Sequence, residues 1–315
     1  MSKLCLIDTF SHRKARRLNT WTNRAIQAAC VAALLSFVSP STAQDTDRNG
    51  DAKSVGAAEE AEAGSDEPVY PLSVAVAGEE IFAVDLDLPG VWKAAESREI
   101  FLLGTRLLRK PMNRPRPIVL HPESGVLVGD SATREVYWIA KAGGQPKPLT
   151  DGRIGIAMAL AVDADAKMLY VGDAEKRATF RLPVEGGSPE LVARVNARGL
   201  AFDAGGNLWA VTPDDAAIRK IDVKTGKVED VVSGRPFQYP NGLCWAGDHG
   251  YVTDGYGKCI WKFTADGKVE KWHEGDPLVG PVGIAVTEQS IFVADPKQKQ
   301  VYEFDRETKE PKERL

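Results

Sequence analysis

Histidine, methionine and cysteine number only four each among 315 residues, so the sequence is poor in the side chains that build metal and nucleophile sites. Beyond residue 43 only Cys244 and Cys259 remain, which is no disulfide framework for a domain of this size. No glycine-rich loop opens a helix to cradle a phosphate, and beyond residue 43 no serine stands beside a histidine as a nucleophile would. Apolar runs are short as well. The most apolar, Ala25 to Val38, is 14 residues, below the roughly 20 that span a bilayer. Helical periodicity is absent after residue 67.

What the first 43 residues do contain is ordered like a secretory leader. Lys3, Arg13, Lys14, Arg16, Arg17 and Arg24 come first, then the apolar run, then small residues at Ser41 and Ala43. The expectation is a signal peptide over 1–43, an exported periplasmic or extracellular protein, and no membrane span in the mature chain. Cleavage removes six of the 40 basic residues and one of the 44 acidic ones, deepening the net charge from −4 to near −9. That balance excludes nucleic-acid binding, which neutralises phosphates with surplus positive charge. Residues 44–67 are acidic, rich in Ala and Gly and free of aromatics, which predicts a disordered linker. Its "DTDRNGD" imitates the start of a calcium loop, but the twelfth position is Gly56 instead of a bidentate glutamate.

Residues 68–315 repeat. Aligned on one position they give "IFAVD", "VLVGD", "LYVGD", "LWAVT", "GYVTD" and "IFVAD", ending at Asp85, Asp130, Asp173, Thr212, Asp254 and Asp295. The spacings are 45, 43, 39, 42 and 41 residues. A large apolar residue precedes each anchor by three positions, and Val91, Val136, Thr179, Ile218, Ile260 and Val301 follow it by six. Each unit reads as a meander of short β-branched and aromatic strands bounded by Gly, Asp and Pro. Six such units predict an all-β chain, a six-bladed β-propeller of four-stranded antiparallel sheets. Either "EPVYP" (67–71) or "EPKERL" (310–315) could supply the last edge of the ring.

Recurrence separates two kinds of polar residue. An aspartate present in five copies has a shared structural task, accepting backbone N–H groups of the following turn. The residue just before each innermost strand does not recur: Leu72, Arg116, Met158, Arg198, Asn241 and Val282. These six should ring one mouth of the central channel. The connector "GTRLLRKPMNRPRP" adds Arg106, Arg109, Lys110 and Arg114 on the same face. Arg116, Arg198 and Asn241 are therefore the candidate ligand-binding residues, suited to an anionic small molecule, a glycan or a protein partner. Thr212 and Arg219 make the fourth repeat irregular, as a partner surface or a decayed copy would be.

"PNGLCW…YVTD…CIWKF", "PVGIAV…IFVAD…VYEF" and "ARGLAF…LWAVT…IRKI" resemble NHL repeats and the wider group of six-bladed propellers that includes the senescence-marker and gluconolactonase lactonases. In those metal-dependent lactonases the ring carries a Glu in the first blade, the Asn of "PNG" and an Asp in a later blade. Together they hold a divalent cation that polarises the lactone carbonyl. Only Asn241 matches, since Leu72 and Val282 stand in the first and sixth blades. A hard cation wants several oxygen ligands. Two arginines ~8 Å from such a cation would each oppose it by about 2 kcal/mol at an effective dielectric near 20. The expectation is a binding or scaffold module without a metal or other cofactor. The alternative is a lactonase-like or esterase-like hydrolase with a reorganised divalent site. His121, His249 and His273 are expected after a first strand, in a loop and on an outer strand, too dispersed for zinc. Cys244 and Cys259, on first and third strands of one blade, should lie ~9.5 Å apart, past the roughly 7 Å limit for bridging.

Overall fold

The computed structural model describes residues 66–87 and 90–315, so the leader, the calcium-loop imitation and all but the end of the acidic segment lie outside the described residues. Among the described residues twenty-four strands form six four-stranded antiparallel sheets, each from one contiguous stretch. Blade one is β1 (Pro71–Ala77), β2 (Glu80–Asp85), β3 (Gly90–Ala94) and β4 (Arg98–Leu103). Blade two is β5 (Pro115–Leu120), β6 (Val126–Asp130), β7 (Glu135–Ile139) and β8 (Lys147–Pro148). β9 (Ala157–Val162), β10 (Met168–Asp173), β11 (Ala178–Pro183) and β12 (Glu190–Ala193) make blade three. β13 (Gly199–Phe202), β14 (Leu208–Val211), β15 (Ala216–Ile221) and β16 (Val228–Ser233) make blade four. Blade five runs β17 (Pro240–Ala246), β18 (His249–Asp254), β19 (Cys259–Thr264), β20 (Val269–Glu274). Blade six runs β21 (Gly283–Val286), β22 (Ser290–Asp295), β23 (Gln300–Asp305), β24 (Pro311–Glu313). First strands adjoin one another around the axis, β1 touching both β5 and β21, so the sheets close into a six-bladed propeller. No helix occurs among the described residues.

Period-two alternation explains the core. On β2, Ile81 and Ala83 pack toward blade six, whereas Phe82 and Val84 pack toward blade two. The same holds around the ring, giving six apolar clusters, each shared by two adjacent blades. No blade could bury both faces alone. Neither terminal segment is exchanged between blades to close the ring: β1 is the inner edge of blade one and β24 the outer edge of blade six. The sixth cluster does the joining, with Leu315 packed among Val74, Ile81, Trp92 and Phe292.

The anchoring aspartates do more than the sequence predicts. All five are buried, at most 1% exposed. Asp254 accepts the N–H groups of Gln238 (2.8 Å) and Tyr239 (2.8 Å) on the lead-in to β17, Gly257 (3.0 Å) in its own turn, and Trp261 Nε1 (3.2 Å). Asp85, Asp130, Asp173 and Asp295 repeat the pattern on Val69 and Tyr70, Asn113 and Arg114, Gly155 and Ile156, and Val279 and Gly280. Each carboxylate thus ties the second-strand turn to the chain entering the innermost strand. In blade four Thr212 takes only the Asp214 N–H (3.1 Å) and gives its proton to the Ala216 carbonyl (2.8 Å). Its lead-in residues, Asn196 and Ala197, are left without that acceptor.

Hydrogen bonds to a charged group contribute about 1.5–3 kcal/mol each. Asp254→Ala, which strands four donors, is expected to destabilise by about 3–5 kcal/mol in a urea melt. Thr212→Asp should do the opposite, raising stability by about 1 kcal/mol as Asn196 and Ala197 gain an acceptor.

Candidate functional site

The innermost strands surround a channel of about 1000 Å³. Register fixes which residues share a level. Val74, Ile118, Leu160, Leu200, Leu243 and Ile284 each pair with the residue two before the anchor, and form one ring. Val76, Leu120, Val162, Phe202, Trp245 and Val286 pair four before it and form a deeper one. The residues between these rings and above them are mostly small, because they meet the next blade's innermost strand. A Cβ on Gly283 would come 2.5 Å from the Ser73 Cα, and one on Gly199 would lie 2.5 Å from the Leu243 nitrogen. Glycine is what lets the six strands approach so closely.

The topmost ring is Leu72, Arg116, Met158, Arg198, Asn241 and Val282, and all six line the channel. The structure brings the three candidate residues to one opening. It also moves some of them: Leu72, Arg116, Met158 and Asn241 lie inside their first strands, not ahead of them. The ladders of β1, β5, β9 and β17 are irregular there, a bulge that sets these residues out of step with the pairing. Bulges re-aim a side chain in this way beside functional sites. Arg198 and Val282 sit just before shorter strands, held by N–H bonds to Val211 (2.8 Å) and Ala294 (2.9 Å).

Arg116 is half-buried and donates through Nε to the Ser131 hydroxyl (3.2 Å). Burial, then Arg114 and Arg198, hold its pKa below the usual guanidinium value. Neither Arg116 nor Arg198 makes an ion pair with a carboxylate among the described residues, and no acid or histidine lines the channel. Among the described residues no group of three His, Cys, Asp or Glu could hold a metal ion. Asn241 Nδ2 donates to the Tyr239 carbonyl (3.2 Å), and its amide oxygen meets no donor among the described residues.

Three aromatic residues at this mouth escaped the sequence reading. Tyr239, 46% exposed, stacks on Tyr256, 64% exposed, with ring centroids 4.7 Å apart. Tyr70 and Tyr239 both line the opening and both act electrostatically on Arg116. The same test of singularity, applied two residues upstream of Leu72 and Asn241, would have found Tyr70 and Tyr239. Glu135 was missed as well, and it is structural. It is buried and collects the N–H groups of Val136, Leu149, Thr150 and Gly152.

The remaining expectations divide. Cys244 and Cys259 are free and buried on strands separated by β18, and burial pushes the Cys259 thiol up to about 12, so neither is a reactive thiolate. His121 follows β5 and His273 lies on the outer β20, but His249 begins β18 and is not in a loop. Arg219 pairs with Asp230 across the outer strands of blade four (3.0 Å), away from the mouth. Of the connector, Arg116 lines the channel mouth, while Arg106 and Arg114 line a side groove and Arg106 donates to the Asp87 carbonyl (2.7 Å).

With this architecture the protein is a six-bladed β-propeller whose channel mouth is basic on an acidic chain. The sequence matches no protein-family model and no curated protein sequence. Among solved structures the fold is similar to a gluconolactonase from Xanthomonas campestris, with 16% identity and a TM-score of 0.62 over 76% of this chain and 86% of that one. It is also similar to a chain of the nidogen/laminin complex (16% identity, TM-score 0.61, 72% of this chain and 86% of that one). A third is virginiamycin B lyase from Staphylococcus aureus (12% identity, TM-score 0.58, 79% and 85%). Likeness at such identities establishes the fold and leaves the activity to the site.

Two like charges at one opening should cost stability. Arg198→Met is expected to raise Tm by about 1–3 °C at low salt, and the gain should shrink as salt screens the pair.

Proposed function

We propose that this propeller is an exported binding module that captures an anion at the channel mouth, between Arg116 and Arg198 with the Asn241 amide beside them. The observation that carries the reading is the pairing of two guanidiniums in the topmost ring with no carboxylate among the described residues to neutralise them. Arginine recognises carboxylate and phosphate by charge-assisted, often bidentate hydrogen bonds. A bound anion would relieve both the desolvation and the mutual repulsion that depress the Arg116 pKa. The basic opening of the sequence supports export, and the repeat pattern supports an NHL-like assignment for the blades. No helix among the described residues is long and apolar enough to cross a membrane.

A second reading is favoured by one residue. Asn241 stands where the resembling lactonases carry a metal-ligating asparagine, and a gluconolactonase is among the structural neighbours. For hydrolysis the ring would have to gather oxygen ligands that Leu72, Met158 and Val282 do not supply.

Thermal melts separate the two. Acetate or phosphate at 100 times its Kd should stabilise the protein by about 2.7 kcal/mol, and Arg116→Ala and Arg198→Ala should each abolish that shift. A Tm rise with calcium or zinc that disappears in Asn241→Ala would favour the hydrolase instead.

A further inference from the structure

The mouth does not stand alone on its face. A groove of about 270 Å³, lined by Leu86, Asp87, Arg106, Asn113 and Arg114, opens where blade one meets blade two. Another of about 130 Å³, lined in part by Thr212, Asp214, Arg235, Gln238 and Tyr239, opens where blade four meets blade five. The first shares Leu86 with the channel, and the second shares Arg198 and Tyr239 with it. In a six-fold ring those two junctions are diametrically opposite. The two grooves and the mouth therefore lie along one line across the face.

Both ends of that line are built alike. Arg106, on the connector into blade two, donates to the Asp87 carbonyl (2.7 Å) in the turn of blade one. Arg235, on the connector into blade five, donates to the Pro213 carbonyl (2.9 Å) in the turn of blade four. Each bond holds an exposed guanidinium over its groove while leaving other donors for a ligand. Five arginines mark the line: Arg106, Arg114, Arg116, Arg198 and Arg235. The acids along it are Asp87 and Asp214, and Asp214 is already paired with Arg177 (2.9 Å).

Resting on the anion-binding reading above, we infer that the three openings form one trough for a linear carboxylated oligosaccharide, with the channel mouth holding its central unit. A chain of single charges spaced one per sugar suits arginines dispersed over three sites. Its hydroxyls suit Asn113, Asn241 and Gln238, all of which line the trough or its mouth. The exposed Tyr239–Tyr256 stack offers a flat face for the apolar side of a pyranose ring. A nucleic acid fits less well. Its charge density is far higher, and a chain with more acids than bases repels it over the rest of the surface.

Isothermal titration with galacturonate and with oligogalacturonates of up to six units tests this on the intact protein. The hexamer should bind at least about thirtyfold tighter than the monomer, since the outer arginines add sites to an already bound chain. Arg106→Ala and Arg235→Ala, both at exposed positions, should each weaken the hexamer about five- to tenfold and leave the monomer unchanged. Arg116→Ala should weaken both. Equal affinity for monomer and hexamer, both lost in Arg116→Ala, would overturn the trough and leave the mouth as an anion site. Failure of every anion to bind would remove both readings. Neutral maltohexaose binding as tightly as the acidic hexamer would overturn recognition by charge. Hexaglutamate or a thymidine oligonucleotide binding more tightly would overturn the glycan assignment.

Discussion

A buried carboxylate at the end of the second strand is the interaction on which this molecule depends. An ionised side chain with almost no exposure to water is costly unless its oxygens are fully engaged. Here each is engaged by backbone N–H groups from two separate segments, so removing it would release two segments at once. One of these segments leads into the innermost strand. The aspartate therefore decides where that strand begins, and with it where the topmost ring of side chains stands around the axis. Architecture and site are linked through this single group.

Packing at the axis completes the link. Large residues at alternate positions of each innermost strand lean toward the preceding blade, and small ones between them accept the next blade's strand. Such interdigitation leaves little freedom to the lower rings, which are uniformly apolar. Only the topmost ring, set at bulges or just ahead of a strand, is released from the pattern. Arg116, Arg198 and Asn241 occupy that ring, and the fold tolerates their variety because they belong to none of the six apolar clusters.

Most of the fold was legible in the sequence because the constraint that makes it is periodic. An aspartate, a large apolar residue three before it and a β-branched residue six after it recur at nearly constant spacing, so one misread repeat is corrected by five others. The candidate ring was legible for the complementary reason, as the position where identity does not recur. Other features were hidden. The bonds from Asp254 to Gln238 and Tyr239 cross 16 and 15 residues, and no local pattern announces a partner that far back. Glu135 occurs in one blade only, with Gln300 in a similar task in blade six, so recurrence could not reveal it. Tyr256 lies in a turn whose sequence looks like any other, and its place beside Tyr239 depends on how two loops of blade five come together.

A basic opening on an acidic chain is a local inversion of sign, and such an inversion concentrates anions where the arginines converge. Where an anion settles therefore decides whether this opening is a binding site. Anomalous diffraction from crystals soaked in bromide measures that directly. A bromide peak within hydrogen-bonding reach of Arg116, Arg198 and Asn241 is the predicted result. Strong bromide peaks elsewhere with none at this opening, or a cation held there by Asn241, would contradict it.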